Sequence, residues 1–290
     1  MKRRHVELRL AYNGKAYCGW QVQAHCTSIQ GLLNQSLSRV LAEEIKTRGA
    51  SRTDAGVHAH DQRVAFTTTN PIPLDRLARA TNMSLPADIQ ILEAYPAPET
   101  PLLRRVSGKH YIYLIGISQR ISPFVSDWVW HFRRKTDWHR ILPILPKLVG
   151  QHDFRAFQSS KDVRENTITT LDHISCHLHG DFVALHFTGN RFLYHQIRNL
   201  VGSLILVAEG EWQVDDFLHG WANGDRREMG TTAPASGLHL VRVFMQPDKP
   251  TADPQHFGSF LDALLLHQSH TYQSAVSKAF VDHSSEPTLK

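Results

Sequence analysis

The chain has 290 residues, 41% of them hydrophobic and 20% charged, which is the composition of a soluble globular protein large enough to bury a real core. Its richest apolar run, LVGSLILVA at 200–208, is about half of the ~20 residues a membrane helix needs, and its start, MKRRHVELRL, carries positive charge without the apolar stretch of a secretory leader. Three cysteines (Cys18, Cys26 and Cys176) with no C-x-x-C pair argue against a disulfide framework or a thiolate zinc site and fit a reducing cytoplasm, while a net charge of +5 is only a lean toward anionic partners.

In chain order, HVELRLAY (5–12) alternates with Val6, Leu8 and Leu10 on one face and predicts a half-buried strand. A glycine-punctuated loop, NGKAYCGWQVQ, leads to Ser28 as an N-cap. Ile29, Leu32, Leu33, Leu37, Val40 and Leu41 then recur at helical spacing, predicting a helix that ends near Glu44. A short strand near 45–49, a strand at 62–68, a helix at 74–84 and a strand at 89–95 complete a β-α-β-β-α-β order, the split pattern of a ferredoxin-like unit.

The second half predicts the same order. KHYIYLIGI (109–117) is a strand, and 137–149 has helical periodicity that Pro143 and Pro146 must shorten or kink. LDHISCHLHG and DFVALHFTG form a hairpin across a Gly-Asp turn. The longest helix spans 191–208, a shorter one lies near 214–222, and GLHLVRVFM (237–245) closes the sheet. The expected fold class is therefore α+β: two ferredoxin-like βαββαβ halves, 1–100 and 101–246, joined in a largely antiparallel sheet around a central cleft. The tail, 247–290, reads as a linker, a helix over HFGSFLDALLLHQSH that docks on the body, and a disordered end.

Three features bear on chemistry. Residues 101–140 hold eight Lys or Arg against two acids, with Trp128, Trp130 and Trp138 interleaved. That segment is a candidate phosphate-binding face, with a solvated surface as the alternative and at least two of the tryptophans expected in the core. His173, His177 and His179 share one face of their strand; without an acidic or thiolate third ligand, they read as a solvent-facing surface rather than a metal site. Finally, SRTDAGVHAH (51–60) places Arg52 two residues before Asp54, followed by Ala55 and Gly56. By itself Thr-Asp-Ala-Gly is a simple turn. With Arg52 pointing into the same cleft, Asp54 becomes a charged, positioned carboxylate able to act as nucleophile or base.

RTDAGVHA (52–59) resembles the hallmark motif of the TruA family of tRNA pseudouridine synthases. The likeness extends over about residues 5–245: YCGWQVQ, Ile29-Gln30, Tyr111 and Tyr113 in KHYIY, GQHDFRAF, FLYHQIRNLVG, and Ala233, Pro234, Gly237 and Leu238 in APASGLHL. This resemblance implies isomerisation of uridine to pseudouridine in the anticodon stem-loop of tRNA, with no metal or organic cofactor, by a cytoplasmic homodimer. It implies four catalytic residues: Asp54 as the catalytic aspartate, Tyr111 stacking on the target uracil, and Arg198 of the long helix ion-pairing with Asp54 and, together with Arg52, keeping it charged and oriented. Arg104 and Leu238 join Tyr111 as substrate-binding residues. The chain departs from the family at Ser51, where glycine is usual, and at PLLRRVSGKHY, which lacks the aromatics of a Phe-x-Ala-Arg-Phe run and leaves Arg104, with Arg105 as alternative, matched to its arginine. A non-catalytic tRNA-binding protein on the same fold is the competing reading, and a metal-dependent hydrolase using the histidines is a third.

Overall fold

A computed structural model describes residues 3–250. The first half runs β1 (Arg4–Tyr12), α1 (Ile29–Leu41), β2 (Arg48–Gly49), β3 (His58–Thr68), α2 (Leu74–Asn82) and β4 (Ile89–Pro96). This is the expected βαββαβ order. Ser28 caps α1 by accepting from the Gly31 amide, which satisfies one of the open N–H groups of its first turn. Ile29, Leu33, Leu37 and Leu41 are buried along one face of the helix, and Ala42, in the left-handed conformation, ends it three residues short of the predicted limit.

The second half contains α3 (Leu102–Arg105), β5 (Val106–Gly116), β6 (Trp130–His131), α4 (Leu145–Leu148), β7 (Gly150–Asp153), β8 (Ile168–His179), β9 (Phe182–Gly189), α5 (Gln196–Glu209), α6 (Val214–Asn223) and β10 (Leu238–Met245). It keeps the predicted elements, adds the single turn α3 and the short strands β6 and β7, and departs from expectation at two helices. The helix expected over 137–149 is a 3₁₀ turn (Trp138–Ile141) and the single turn α4, because Pro143 and Pro146 each remove an amide from the helical ladder. The long helix starts at Gln196 rather than 191, because His195 is left-handed (φ 65°) and cannot continue it.

The strands form one ten-stranded sheet in the order β4-β1-β3-β10-β5-β9-β8-β7, with β2 beside β3 and β6 beside β5. Most pairs are antiparallel. The two halves meet at β3 and β10, which run parallel and pair through His58–His239 and Ala59–Leu240. Across β10, Leu238 faces Tyr113 and Leu240 faces Tyr111 of β5. The seam therefore sets the start of β3, which follows the Asp54 loop, one strand away from the tyrosines of β5, with β10 between them.

Trp138 is in the core and Trp130 packs against it. The histidine strand is not solvent-facing: His173, His177 and His179 are half-buried, and the His177 ring lies 5.0 Å from that of His186 on β9. The helix and disordered end expected for the tail lie outside the described residues.

Candidate active site

Residues 51–54, between β2 and β3, lead into the seam, with side chains alternating between core and surface. Ser51 and Thr53 are buried, Arg52 is exposed, and Asp54 is mostly buried. Gln62 of β3 holds the Ser51 backbone at both ends, accepting from its amide at 3.1 Å and donating to its carbonyl at 2.7 Å. The Thr53 hydroxyl meets that of Tyr12 at 2.8 Å. On the other side the Trp20 amide donates to the Thr53 carbonyl at 3.0 Å and the Gly56 amide to Tyr17 at 3.3 Å. That approach needs Gly19: its φ is +90°, and a Cβ there would lie 2.5 Å from the Thr53 carbonyl oxygen. The YCGWQVQ loop thus cradles the Asp54 turn.

The carboxylate is met from the second half of the chain. Arg198 Nη1 donates to Asp54 Oδ2 at 3.0 Å, across 144 positions of sequence. Its Nε donates to the Ala233 carbonyl at 2.8 Å, and the Ala233 amide returns a bond to the Arg198 carbonyl. This bracing orients the guanidinium rather than merely supplying charge. His195, just before α5, brings Nε2 to 3.4 Å from the same Asp54 oxygen, and the Tyr194 ring lies against it at 3.9 Å. Burial lowers the His195 pKa; Asp54 opposes that shift, and Arg198, Arg226 and Lys161 reinforce it. The imidazole is therefore neutral at pH 7, and Arg198 is the cation of the pair. Sequence reasoning did not single out His195. Its left-handed backbone, unusual for a non-glycine residue and of the kind that gathers at functional sites, has no local sequence signal.

Tyr111 forms the buried floor. Its hydroxyl meets Ser51 Oγ at 2.7 Å and Phe192 packs edge-on at 5.3 Å. Burial raises the phenol pKa well above 10; the Ser51 hydrogen bond works against this, and Tyr12 and Asp54 add to it. Tyr111 is thus an uncharged aromatic face. Tyr113 is fixed by donation to the Pro234 carbonyl at 2.7 Å, and Leu238, also buried, pairs with it across the strand.

Asp54, Arg198 and Tyr111 thus come together, with Leu238 on the neighbouring strand. Arg52 does not pair with Asp54; its exposed side chain has no ion-pair partner among the described residues. Arg104 is also exposed, on α3 at the start of β5, away from the carboxylate. Arg105 is committed elsewhere, to the buried Glu7 and the Thr100 carbonyl, which leaves Arg104 as the available cation of that segment. Beyond Tyr194 lies a shallow, solvent-open polar depression lined by Arg155, Ser159, Asp162, Asn223 and Arg226 among others. It is joined to the site by hydrogen bonds from the Tyr194 amide to Asp162 and from the Ser159 amide to the Tyr194 carbonyl. Among the described residues no group of three or more His, Cys, Asp or Glu is placed to hold a metal ion, and no helix is long and apolar enough to cross a membrane.

The family model described as tRNA pseudouridine synthase matches residues 10–103 and 144–244. A protein described as tRNA pseudouridine synthase A from Geotalea daltonii is 35% identical over 243 residues, covering 83% of this chain and 99% of that one. The protein of the same description from Geotalea uraniireducens is 37% identical over 242 residues, with the same coverage. That of Prochlorococcus marinus strain MIT 9515 is 34% identical over 248 residues, covering 85% and 92%.

Proposed function

The chain belongs to the TruA family of tRNA pseudouridine synthases, isomerases of tRNA uridine, and on that premise we propose that it acts on the anticodon stem-loop with Asp54 as its catalytic carboxylate. The observation that carries this assignment is the Asp54–Arg198 pair, which joins the two halves of the chain at 3.0 Å. A carboxylate oriented by an arginine in a mostly buried seam is suited to attack or to deprotonate a sugar or base placed over it.

The reaction breaks the N1–C1′ bond, turns the uracil and joins C5 to C1′. The proton leaves C5, and one is gained at N1. The reacting bonds are hidden in a stacked stem, so the nucleotide must be flipped out. Tyr111 offers the face on which the extruded uracil stacks, and Leu238 extends that floor. Arg198 aims the Asp54 carboxylate through their 3.0 Å hydrogen bond. Arg52, exposed two residues away, faces the RNA. Arg104 and the basic 101–140 segment supply contacts to phosphates and unstacked bases. No cofactor enters these steps. The two halves, 1–100 and 101–246, act as one catalytic domain in a cytoplasmic homodimer.

The test uses tRNA carrying tritium at uridine C5. The wild-type protein releases tritium, and Asp54→Ala abolishes release while still binding tRNA. No release from any tRNA pool refutes the activity, and equal release from the variant refutes the role of Asp54. Pseudouridine mapping in tRNA from cells with and without the protein tests the anticodon stem-loop, and sedimentation of the free protein tests the dimer.

A further inference from the structure

The Ser51 side chain is not needed by its own backbone. Gln62 already satisfies both the amide and the carbonyl of Ser51, and Ser51 is not among the residues with positive φ, so the conformation does not select the side chain. What the hydroxyl does is reach across 60 positions of sequence to the Tyr111 phenol at 2.7 Å. Among the described residues this is the only hydrogen bond that the phenol makes. Tyr111 is 5% exposed, and a polar atom that far from water costs free energy unless it is paired. Ser51 is itself one residue from Arg52 and three from Asp54. One short segment therefore presents the carboxylate to Arg198 and, three residues earlier, holds the Tyr111 phenol.

We propose that Ser51 is a positioning residue: its hydroxyl pins the Tyr111 ring and hydroxyl in place beneath Asp54, so that the stacking face is set before RNA arrives. The inference rests on the reading of Tyr111 as the residue under the uracil. Ser51 touches neither substrate nor carboxylate and transfers no proton. It acts by removing freedom that the phenol would otherwise have to lose between the bound complex and the transition state, so its effect appears in the rate at saturation more than in affinity.

The test compares the full-length wild type with Ser51→Ala, Ser51→Gly, Tyr111→Phe and the Ser51→Ala/Tyr111→Phe double variant. Single-turnover pseudouridine formation at saturating enzyme is read beside the tRNA Kd. Losing one hydrogen bond predicts a rate about 3- to 10-fold lower for either serine variant, with Kd within about twofold. In the Tyr111→Phe background, Ser51→Ala has no further effect, because the bond is already gone. An unchanged rate, a loss confined to Kd, or the same loss in the Tyr111→Phe background overturns the proposal. A wild type that makes no pseudouridine refutes the activity instead. Ser51 is then judged on the Tyr111 ¹³Cζ resonance, identified by its absence in Tyr111→Phe: it moves in Ser51→Ala if the bond exists, and an unmoved resonance refutes the pairing.

Discussion

Replacing Arg198 by glutamine tests the centre of the site most directly. The change removes the 3.0 Å contact to Asp54 and the 2.8 Å bond to the Ala233 carbonyl, while a shorter amide keeps part of the volume. At an effective dielectric near 20, two unit charges 3.0 Å apart attract by about 5–6 kcal/mol, much of which is returned as desolvation of the two groups. Hydrogen bonds to charged groups contribute a net ~1.5–3 kcal/mol. Taking ~2–3 kcal/mol as the loss in transition-state stabilisation, the single-turnover rate falls about 30- to 150-fold. The assay is tritium release from C5-labelled tRNA at saturating enzyme, with Kd measured by filter binding. The expected result is a lower plateau rate with Kd changed by no more than about threefold. A plateau within threefold of wild type, or a loss seen only in Kd, refutes the view that Arg198 serves Asp54 rather than the RNA backbone.

Gly19→Ala forces a Cβ to 2.5 Å from the Thr53 carbonyl oxygen at φ +90°; we expect at least a tenfold loss of activity with the protein still folded, and activity near wild type refutes the cradle. His58, 3% exposed, is held by burial at about 4 instead of 6.5. The unfolded chain therefore takes up a proton that the folded one refuses, and as pH falls from 6.5 to 4 roughly 3 kcal/mol of stability is lost. His58→Gln flattens that acid limb in urea titrations, and parallel limbs refute the assignment. Burial, with Arg164 nearby, lowers Lys109 to about 8. The unfolded lysine keeps its proton to higher pH, so stability gains between pH 8 and 10. The melting temperature of Lys109→Met lacks that rise, and a rise equal to wild type refutes it.

The Ser28 cap, the apolar stripe of α1, the alternation of β1 and the proline break before β7 are local rules, written in residues within a few positions of one another. The order of elements was legible for that reason, as was Asp54, because its motif is contiguous. The company Asp54 keeps was not readable from spacing alone. Arg198 lies 144 residues away; its family resemblance implied the pairing, while its geometry depends on how α5 docks at the seam. Arg52, the nearest cation in sequence, is exposed while its neighbours Ser51 and Thr53 are buried, and it does not meet the carboxylate two residues on. His195 and the Ser51–Tyr111 bond left no local trace, since each meets a partner far away in sequence. Short-range periodicity determined the elements, and the resemblance carried by a contiguous motif pointed to Asp54; only tertiary packing decided which groups meet its carboxylate, because such partners are chosen by distance in space.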